Sequence, residues 1–276
     1  PPRARISRSM SMDVWIDMHH AMGRLSRRDT VVFLTDSATG QAEEENLRHL
    51  SANLPADVDR RKVVPFLTCK HTLDYCRLFA RRALDMGFET ITVLGGDRAG
   101  GPPRCVPHAA ELRRQFARAL PGLGLGGWIN PHRDTAMQVD LLESSEFAAD
   151  FFLTQIVSHH DLAGVEILVR EMRRRGVQTP GAFGVFLYRS ARPRTLSRLD
   201  RFFPVPAEEL TREFEQGLTP VEICARSIRA LRAIGIDKVY VSNLRLERVD
   251  RLYDELVEAV NSGTDQAERA GQPRSP

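Results

Sequence analysis

The chain contains 276 residues, of which 42% are hydrophobic and 27% are charged, and its formal net charge is +3. This is the composition of an ordinary globular protein. No apolar run approaches the roughly 20 residues that cross a bilayer, and the arginines are mixed with acidic residues rather than gathered in a basic stripe. We expect a cytoplasmic protein that binds neither membranes nor nucleic acid. The composition leaves open whether the chain forms a homo-oligomer.

The amino-terminal segment PPRARISRSMSMD is basic, but no apolar stretch follows it, so it is not a signal peptide. The chain lacks an initiator Met at position 1, which leaves room for sequence upstream. The first predicted helix is MDVWIDMHHAMGRL, and nothing before it has the pattern of a strand. The first strand of a barrel is therefore predicted to be missing or truncated.

Short apolar runs then alternate with longer amphipathic segments. Continuous apolar runs of this length suit parallel strands that are buried on both faces. Helical segments such as LDYCRLFARRALDMG and DLAGVEILVREMRRRG end on Gly87 and Gly176, which are C-cap signals. The predicted strands are Thr30–Thr35, Lys62–Thr68, Thr90–Gly96, Leu123–Asn130, Asp150–Gln155, Gly181–Leu187 and Lys238–Asn243.

The segment between the last two strands is longer than one crossover needs. It predicts an extra helix, AEELTREFEQG, with Pro206 near its start, and a further helix that begins at Thr219–Pro220. The tail at 263–276 is polar, contains Gly and Pro, and has no periodicity, which predicts disorder.

The alternation of strands and helices favours a parallel α/β fold. A doubly wound sheet is one solution, but a (β/α)8 TIM barrel is better supported because most predicted strands end in polar residues, and the carboxyl ends of barrel strands form the active face. We expect a single barrel domain over residues 1–262. The polar strand ends are Thr35, Thr68, Asp97, Asn130, Gln155 and Asn243.

No metal site is predicted. The four cysteines have no CxxC spacing and are expected to be reduced thiols. The adjacent pair His159–His160 lacks the spacing and the carboxylate partners of a metal site. Asp134 is predicted to cap the helix that follows it rather than to act in catalysis.

The order of the motifs resembles the methylenetetrahydrofolate reductase family over nearly the whole chain, from Pro1 to about Arg245. The segments that resemble it are PPR at the start, FLTCKHTLDYCRLFARRALDMGFETITVLGGD, NPHRDTAMQVDLLESSEFAADFFLTQ, PGAFGVFLYRS and VYVSNLR. Each match alone is weak, whereas their shared order and spacing are fairly specific.

The resemblance implies a (β/α)8 barrel that reduces 5,10-methylenetetrahydrofolate to 5-methyltetrahydrofolate with NAD(P)H through FAD. Its partners would be a tetrahydrofolate derivative and a nicotinamide dinucleotide. By position, Gln155 matches the substrate-binding glutamine. Asp97 matches the acidic residue near the flavin ring and would be catalytic. Thr35, His132 and Asp140 match residues that bind FAD.

The sequence also departs from the family. Gly95 replaces an arginine before Gly-Asp, and Phe66 replaces a histidine. Glu143, Glu146 and Phe147 stand where the family has an amide and two basic residues. Carboxylates repel a diphosphate, so we expect weak FAD binding, tightened by the triple change Glu143→Asn, Glu146→Arg and Phe147→Lys.

Two alternatives follow from these departures. One is a flavin-free folate-binding paralogue that serves as a subunit of a reductase or methyl-transfer complex. The other is a barrel with an unrelated small-molecule activity, because fold alone does not fix function.

Overall fold

The structure is a computed structural model that describes residues 8–35, 54–96 and 101–271. Side chains are described for residues 16–35, 54–96 and 101–262. Residues 1–7, where a first barrel strand was predicted to be missing or truncated, lie outside these ranges, and so does Asp97.

Within the described ranges the seven predicted strands are confirmed. They run parallel, and their order in the sheet follows their order in the chain. The inner strands are mostly buried, as expected of apolar runs covered on both faces, and Val63–Thr68 is buried at five of its six positions. The first and last strands are only half-buried. The strands are β1 Val32–Leu34, β2 Val63–Thr68, β3 Thr90–Leu94, β4 Gly124–Ile129, β5 Phe151–Ile156, β6 Gly181–Phe186 and β7 Val239–Ser242.

From β2 onwards, helices fill the intervals between the strands, as the amphipathic pattern predicts. Gly176 ends one helix with a left-handed φ of 70°, which a glycine adopts without strain. The helices are α1 Arg8–Ser26, α2 Leu73–Asp85, α3 Ala109–Ala119, α4 Thr135–Glu143, α5 Ala163–Arg175, α6 Pro193–Leu199, α7 Ala207–Glu215, α8 Pro220–Ala233 and α9 Val249–Gly271.

Two details differ from the prediction for the helices. The short helix α6 lies in the long β6–β7 connection in addition to the two predicted there. Helix α9 continues to Gly271, so its last residues fall in the range 263–276 that was predicted to be disordered. The composition of that range hides the helix because polar residues without an apolar stripe show no helical period.

The contacts of the chain divide it into two compact units. The first unit comprises Pro1–Gly127, Ser144–Phe151 and Leu246–Asp250. The second unit comprises Trp128–Glu143, Phe152–Arg245 and Arg251–Pro276. The predicted site residues are distributed over both units.

The first unit holds β1 to β3, most of β4, and the helices α2 and α3. Its core contains fully buried side chains such as Leu67, Phe88 and Leu112. Gly126 and Gly127 let aromatic rings lie directly on β4, because a side chain at Gly126 would meet the ring of Phe151 at 2.5 Å. Glycine is thus required there by close packing rather than by backbone conformation.

The second unit holds β5, β6 and β7 with the helices that connect them. Its pairing starts with Phe152 opposite Gly181 and shifts in register between Leu153 and Ile156. Such irregularities bend a strand and redirect its side chains, and they often occur next to functional sites. The irregularity falls at Thr154 and Gln155, directly before Ile156, which pairs with Gly184 at the carboxyl end of β5.

No helix in the described ranges combines the length and apolarity needed to cross a membrane. The fold class is α/β, with parallel strands and alternating helices as in a TIM barrel. In this class the carboxyl ends of the strands hold the functional residues, and the predicted Gln155 lies at that end of β5.

Candidate functional site

Gln155 lies in the register shift of β5, and the backbone holds its amide in place. The side-chain Nε2 donates to the carbonyl of Phe202 at 3.0 Å, and Oε1 accepts from the backbone N–H of Ile156 at 3.0 Å. An amide has two N–H donors and an oxygen with two lone pairs. One donor and one lone pair therefore remain available to a ligand, in a fixed orientation.

His132 lies beside the same strand end. Its Nε2 is 2.7 Å from the carbonyl oxygen of Ile156, and because a carbonyl only accepts, Nε2 carries the ring proton. The side chain of Asp134 accepts from the backbone N–H of Met137 at 2.9 Å, so its predicted capping of α4 is confirmed. His132 and Gln155 are thus brought together at the end of β5.

The turn after β5 carries a second polar group, which we call the histidine–glutamate cluster: His159, His160 and Glu213. Nε2 of His159 is 3.1 Å from Oε1 of Glu213, and Nε2 of His160 is 3.0 Å from Oε2. The prediction that the two histidines lack a carboxylate partner is wrong, because α7 supplies Glu213.

Two further side chains, those of Ser227 and Arg226, form hydrogen bonds with members of the cluster. The Oγ of Ser227 is 2.8 Å from Nδ1 of His159, and Arg226 donates from Nη1 to Oε1 of Glu213 at 2.8 Å. The side chain of Glu213 is 7% exposed, so its carboxylate is a buried charge with three neighbouring donors. Such a group is stable only because its oxygens are hydrogen-bonded.

Burial and charge set the protonation of the cluster. Burial lowers the pKa of His159, and the adjacent His160 lowers it further, so the ring is neutral at pH 7. For Glu213, burial alone would raise the pKa. The hydrogen bonds from His160 and Arg226, together with His159, outweigh burial and leave the pKa below its ordinary value. Glu213 is therefore a carboxylate at neutral pH.

The structure places Asp140 elsewhere. Its carboxylate and that of Glu143 both pair with Nη1 of Arg175, the last residue of α5, and Arg175 also pairs with Glu171. Because the end of α5 leads into the start of β6, these contacts lie away from the carboxyl end of β5. Asp140 is thus not brought together with Gln155 and His132.

Phe147 belongs to the core of the first unit. It is 2% exposed, its ring lies against the backbone of Gly127, and its carbonyl accepts from Nε of Arg113 at 2.9 Å. The Arg113 guanidinium also lies 5.0 Å from the ring centroid. A position that would carry a basic side chain in the resembled family is here filled by an apolar packing residue.

These contacts do not fit the diphosphate of FAD beside α4. Asp140 and Glu143 already bind Arg175, and Glu171 adds a third carboxylate to the same guanidinium. An anionic diphosphate would compete with them for that cation and would meet their repulsion. Phe147 offers neither a charge nor a donor.

The other predicted flavin residues are only partly described. Thr35 is exposed at the end of β1. Asp97 lies outside the described residues. The guanidinium of Arg104 occupies the space over Gly95, where a Cβ would lie 2.7 Å from its Cζ. An arginine side chain from the next loop thus packs directly over Gly95.

Two residues of this region were not found from the sequence. Glu213 lies in an ordinary amphipathic helix, and its pairing with the histidines comes from residues 53 and 54 positions away. The carbonyl of Phe202 accepts from Gln155, and Phe202 is 52% exposed. Exposure of an aromatic ring is a tertiary property, and no local pattern predicts it.

No protein-family model matches the chain. No curated protein matches it.

Solved structures with a similar fold include two aldo-keto reductases. The apo form of aldo-keto reductase AKR11C1 from Bacillus halodurans has 14% identity and a TM-score of 0.50, and the match covers 90% of this chain and 85% of that one. An aldo-keto reductase from Klebsiella pneumoniae in complex with NADPH has 9% identity and a TM-score of 0.52, with coverage of 96% and 88%. At these identities the likeness shows the fold alone, and it supports the TIM-barrel class.

An uncharacterized protein from Clostridium thermocellum, which binds two copies of 5-methyl-5,6,7,8-tetrahydrofolic acid, has 13% identity to this chain. Its TM-score is 0.49, and the match covers 87% of this chain and 96% of that chain.

Proposed function

We propose that this chain binds a tetrahydrofolate derivative at the carboxyl end of β5, with Gln155 as the residue that orients the pterin. The observation that carries the proposal is the fixed amide of Gln155, which has one donor and one acceptor left over after its two backbone hydrogen bonds. A pterin edge presents donors and acceptors side by side, so a side-chain amide can pair with it in one orientation.

The surroundings of Gln155 support this proposal. Phe202 is 52% exposed, and its carbonyl accepts from Gln155. A planar, partly apolar ligand such as a pterin can stack on such a ring while its edge pairs with the amide. The resemblance to the methylenetetrahydrofolate reductase family assigns substrate binding to the same glutamine.

The activity that this resemblance implies is reduction of 5,10-methylenetetrahydrofolate to 5-methyltetrahydrofolate with NAD(P)H. The family uses FAD for this step, and Asp97, Thr35, His132 and Asp140 are the positions that would bind it. The side chain of Asp140 is bound to Arg175, and Phe147 is part of the core. We therefore propose the folate site without assigning FAD to it.

A second candidate function rests on the same contacts of α4. A flavin-free folate-binding protein, acting as a subunit of a reductase or methyl-transfer complex, needs the site at β5 and no diphosphate site. The pairing of Asp140 and Glu143 with Arg175 favours this candidate. Oxidation of NAD(P)H by the purified chain with 5,10-methylenetetrahydrofolate would instead support the reductase.

The folate proposal is tested by calorimetric titration with 5-methyltetrahydrofolate. Loss of the Gln155 amide leaves ligand groups unpaired, which costs roughly 1–3 kcal/mol, so Gln155→Ala should weaken binding about 10–100-fold. Gln178→Ala is the matched control. It removes an amide that also donates to a backbone carbonyl, that of Gly176, at the opposite end of the strands.

The control variant should bind as the unchanged protein does. Equal affinity of Gln155→Ala and the unchanged protein would remove Gln155 from the site. Absence of heat on titration of the unchanged protein would contradict folate binding as a whole.

A further inference from the structure

The histidine–glutamate cluster is distinct from the groups assigned to folate. His159 and His160 lie in the turn between β5 and α5, and Glu213 lies in the last turns of α7. One ligand atom from each of the three residues lies within 4.8 Å of the other two. The cluster therefore joins two separate connections of the second unit through one buried carboxylate.

The two imidazole rings both point their Nε2 atoms at the carboxylate of Glu213. Their ring centroids are 3.9 Å apart at an interplanar angle of 37°, and each Nε2 faces a different oxygen of Glu213. The side chains of His159 and His160 are 15% and 16% exposed. An ion pair with Glu213 would need only one histidine. Here two imidazole nitrogens and a carboxylate face each other, which is an arrangement that can hold a metal ion.

Ser227 provides the contact that a metal-binding histidine requires. When Nε2 of a neutral imidazole binds a cation, the ring proton resides on Nδ1, where an acceptor stabilises that tautomer. The Oγ of Ser227 is 2.8 Å from Nδ1 of His159 and can accept that proton. Without a cation the hydroxyl donates to Nδ1 instead, and Nε2–H donates to Glu213.

We propose that His159, His160 and Glu213 bind one divalent transition-metal cation of the zinc type. Two imidazole nitrogens and one carboxylate oxygen are a ligand set that suits Zn²⁺ and its first-row neighbours, and hard cations such as Mg²⁺ prefer all-oxygen sites. Three protein ligands leave one tetrahedral position open to water or to a ligand atom.

The positive charge of Arg226 opposes the binding of a cation, so removing that charge should change the metal affinity. Its guanidinium donates to Oε1 of Glu213, and its side chain is 45% exposed. Since it can leave the carboxylate without being buried, it does not block the site, but its charge repels a metal ion. Arg226→Met should therefore tighten metal binding, by about tenfold or more.

The experiment is titration of the metal-free protein with Zn²⁺, followed by calorimetry, in the absence of folate. We expect one equivalent to bind. Glu213→Gln and His160→Gln should lose this binding, and Ser227→Ala should weaken it about 10-fold because it removes the contact to Nδ1. Titration with Mg²⁺ should give no comparable binding.

The matched control is the double variant His19→Gln, His20→Gln. It removes the other adjacent histidine pair of the chain, which lies on α1 outside the cluster, and it should bind Zn²⁺ as the unchanged protein does. Circular dichroism shows which variants are folded, and Co²⁺ absorption reports on tetrahedral coordination in the unchanged protein.

Two results would overturn the proposal: no stoichiometric Zn²⁺ binding to the unchanged protein, or binding that persists in folded Glu213→Gln. Loss of binding only in the control variant would assign Zn²⁺ to α1 instead. Because folate is absent throughout, these results are independent of the fate of the folate proposal.

Discussion

At the scale of single residues, His159 links protonation to stability. Burial lowers its pKa below the ordinary 6.5, so the folded state resists a proton that the unfolded state accepts. The stability contributed by the neutral ring is complete above pH 6.5 and is lost as the pH falls below it. Protonation of Glu213 also reduces the stability of the folded state as the pH falls. This happens only at lower pH, because the pKa of Glu213 lies below the ordinary 4.5.

We predict that the free energy of unfolding of the metal-free protein decreases as the pH falls from 6.5 towards 4.5. His159→Gln should show a shallower decrease, because the glutamine cannot take up a proton. Urea unfolding at several pH values measures both slopes. Identical slopes for the variant and the unchanged protein would show that His159 does not control this dependence.

At the scale of elements, α8 has a well-defined start. The hydroxyl of Thr219 accepts from the backbone N–H of Glu222 at 3.2 Å, and the carboxylate of Glu222 accepts from the backbone N–H of Thr219 at 2.7 Å. This reciprocal capping box satisfies two donors that a helix start leaves unpaired. Pro220 follows at the first helical position, where a missing N–H has no cost.

We predict that Thr219→Ala lowers the free energy of unfolding by about 1 kcal/mol, the usual cost of losing an N-cap. Thr211→Ala is the matched control, because that exposed hydroxyl donates to Ala207 inside α7 and caps no helix. Alanine has the higher helix propensity there, so the control should be neutral or slightly stabilising. Chemical denaturation compares the two, and equal effects would contradict the capping role.

At the scale of the whole molecule, the chain has the fold that the family resemblance implies, but the side chains near α4 do not suit the FAD that the resemblance also implies. The strands and helices of a TIM-barrel chain are present, while the groups near α4 are engaged with each other or buried. We predict that the purified protein lacks the absorbance of a flavin and takes up no added FAD. A yellow protein, or one that retains added FAD on gel filtration, would contradict this.

The same contacts change the expectation for the triple variant. Phe147→Lys replaces a residue that is 2% exposed and sets an ammonium beside the guanidinium of Arg113. Loss of such a ring costs about 3–5 kcal/mol, and a buried charge adds to it. We predict that the triple variant melts at a lower temperature and gains no FAD affinity, whereas the double variant Glu143→Asn, Glu146→Arg remains folded.

The double variant is the control for this prediction, since Glu143 and Glu146 are surface acids that pair with Arg175 and Arg114. Thermal unfolding and FAD titration of the two variants separate the effect of Phe147 from that of the carboxylates. Tight FAD binding by a stable triple variant would restore the flavoenzyme interpretation.

The sequence by itself determined the seven strands, most of the helices and the polar end of β5. These are local properties, because a buried parallel strand must be apolar throughout and a helix end favours particular residues. Gln155 could be selected for the same reason, since it is a polar residue that directly follows a buried run.

Only the tertiary structure decided which side chains meet. Glu213 reaches His159 across 54 positions of sequence, Arg175 reaches Asp140 across 35, and the guanidinium of Arg104 fills the space over Gly95. Such partners depend on how helices pack beside one another, and periodicity carries no information about that. A flavin was therefore expected where α4 binds Arg175, and a metal site was not expected where two histidines meet a buried carboxylate.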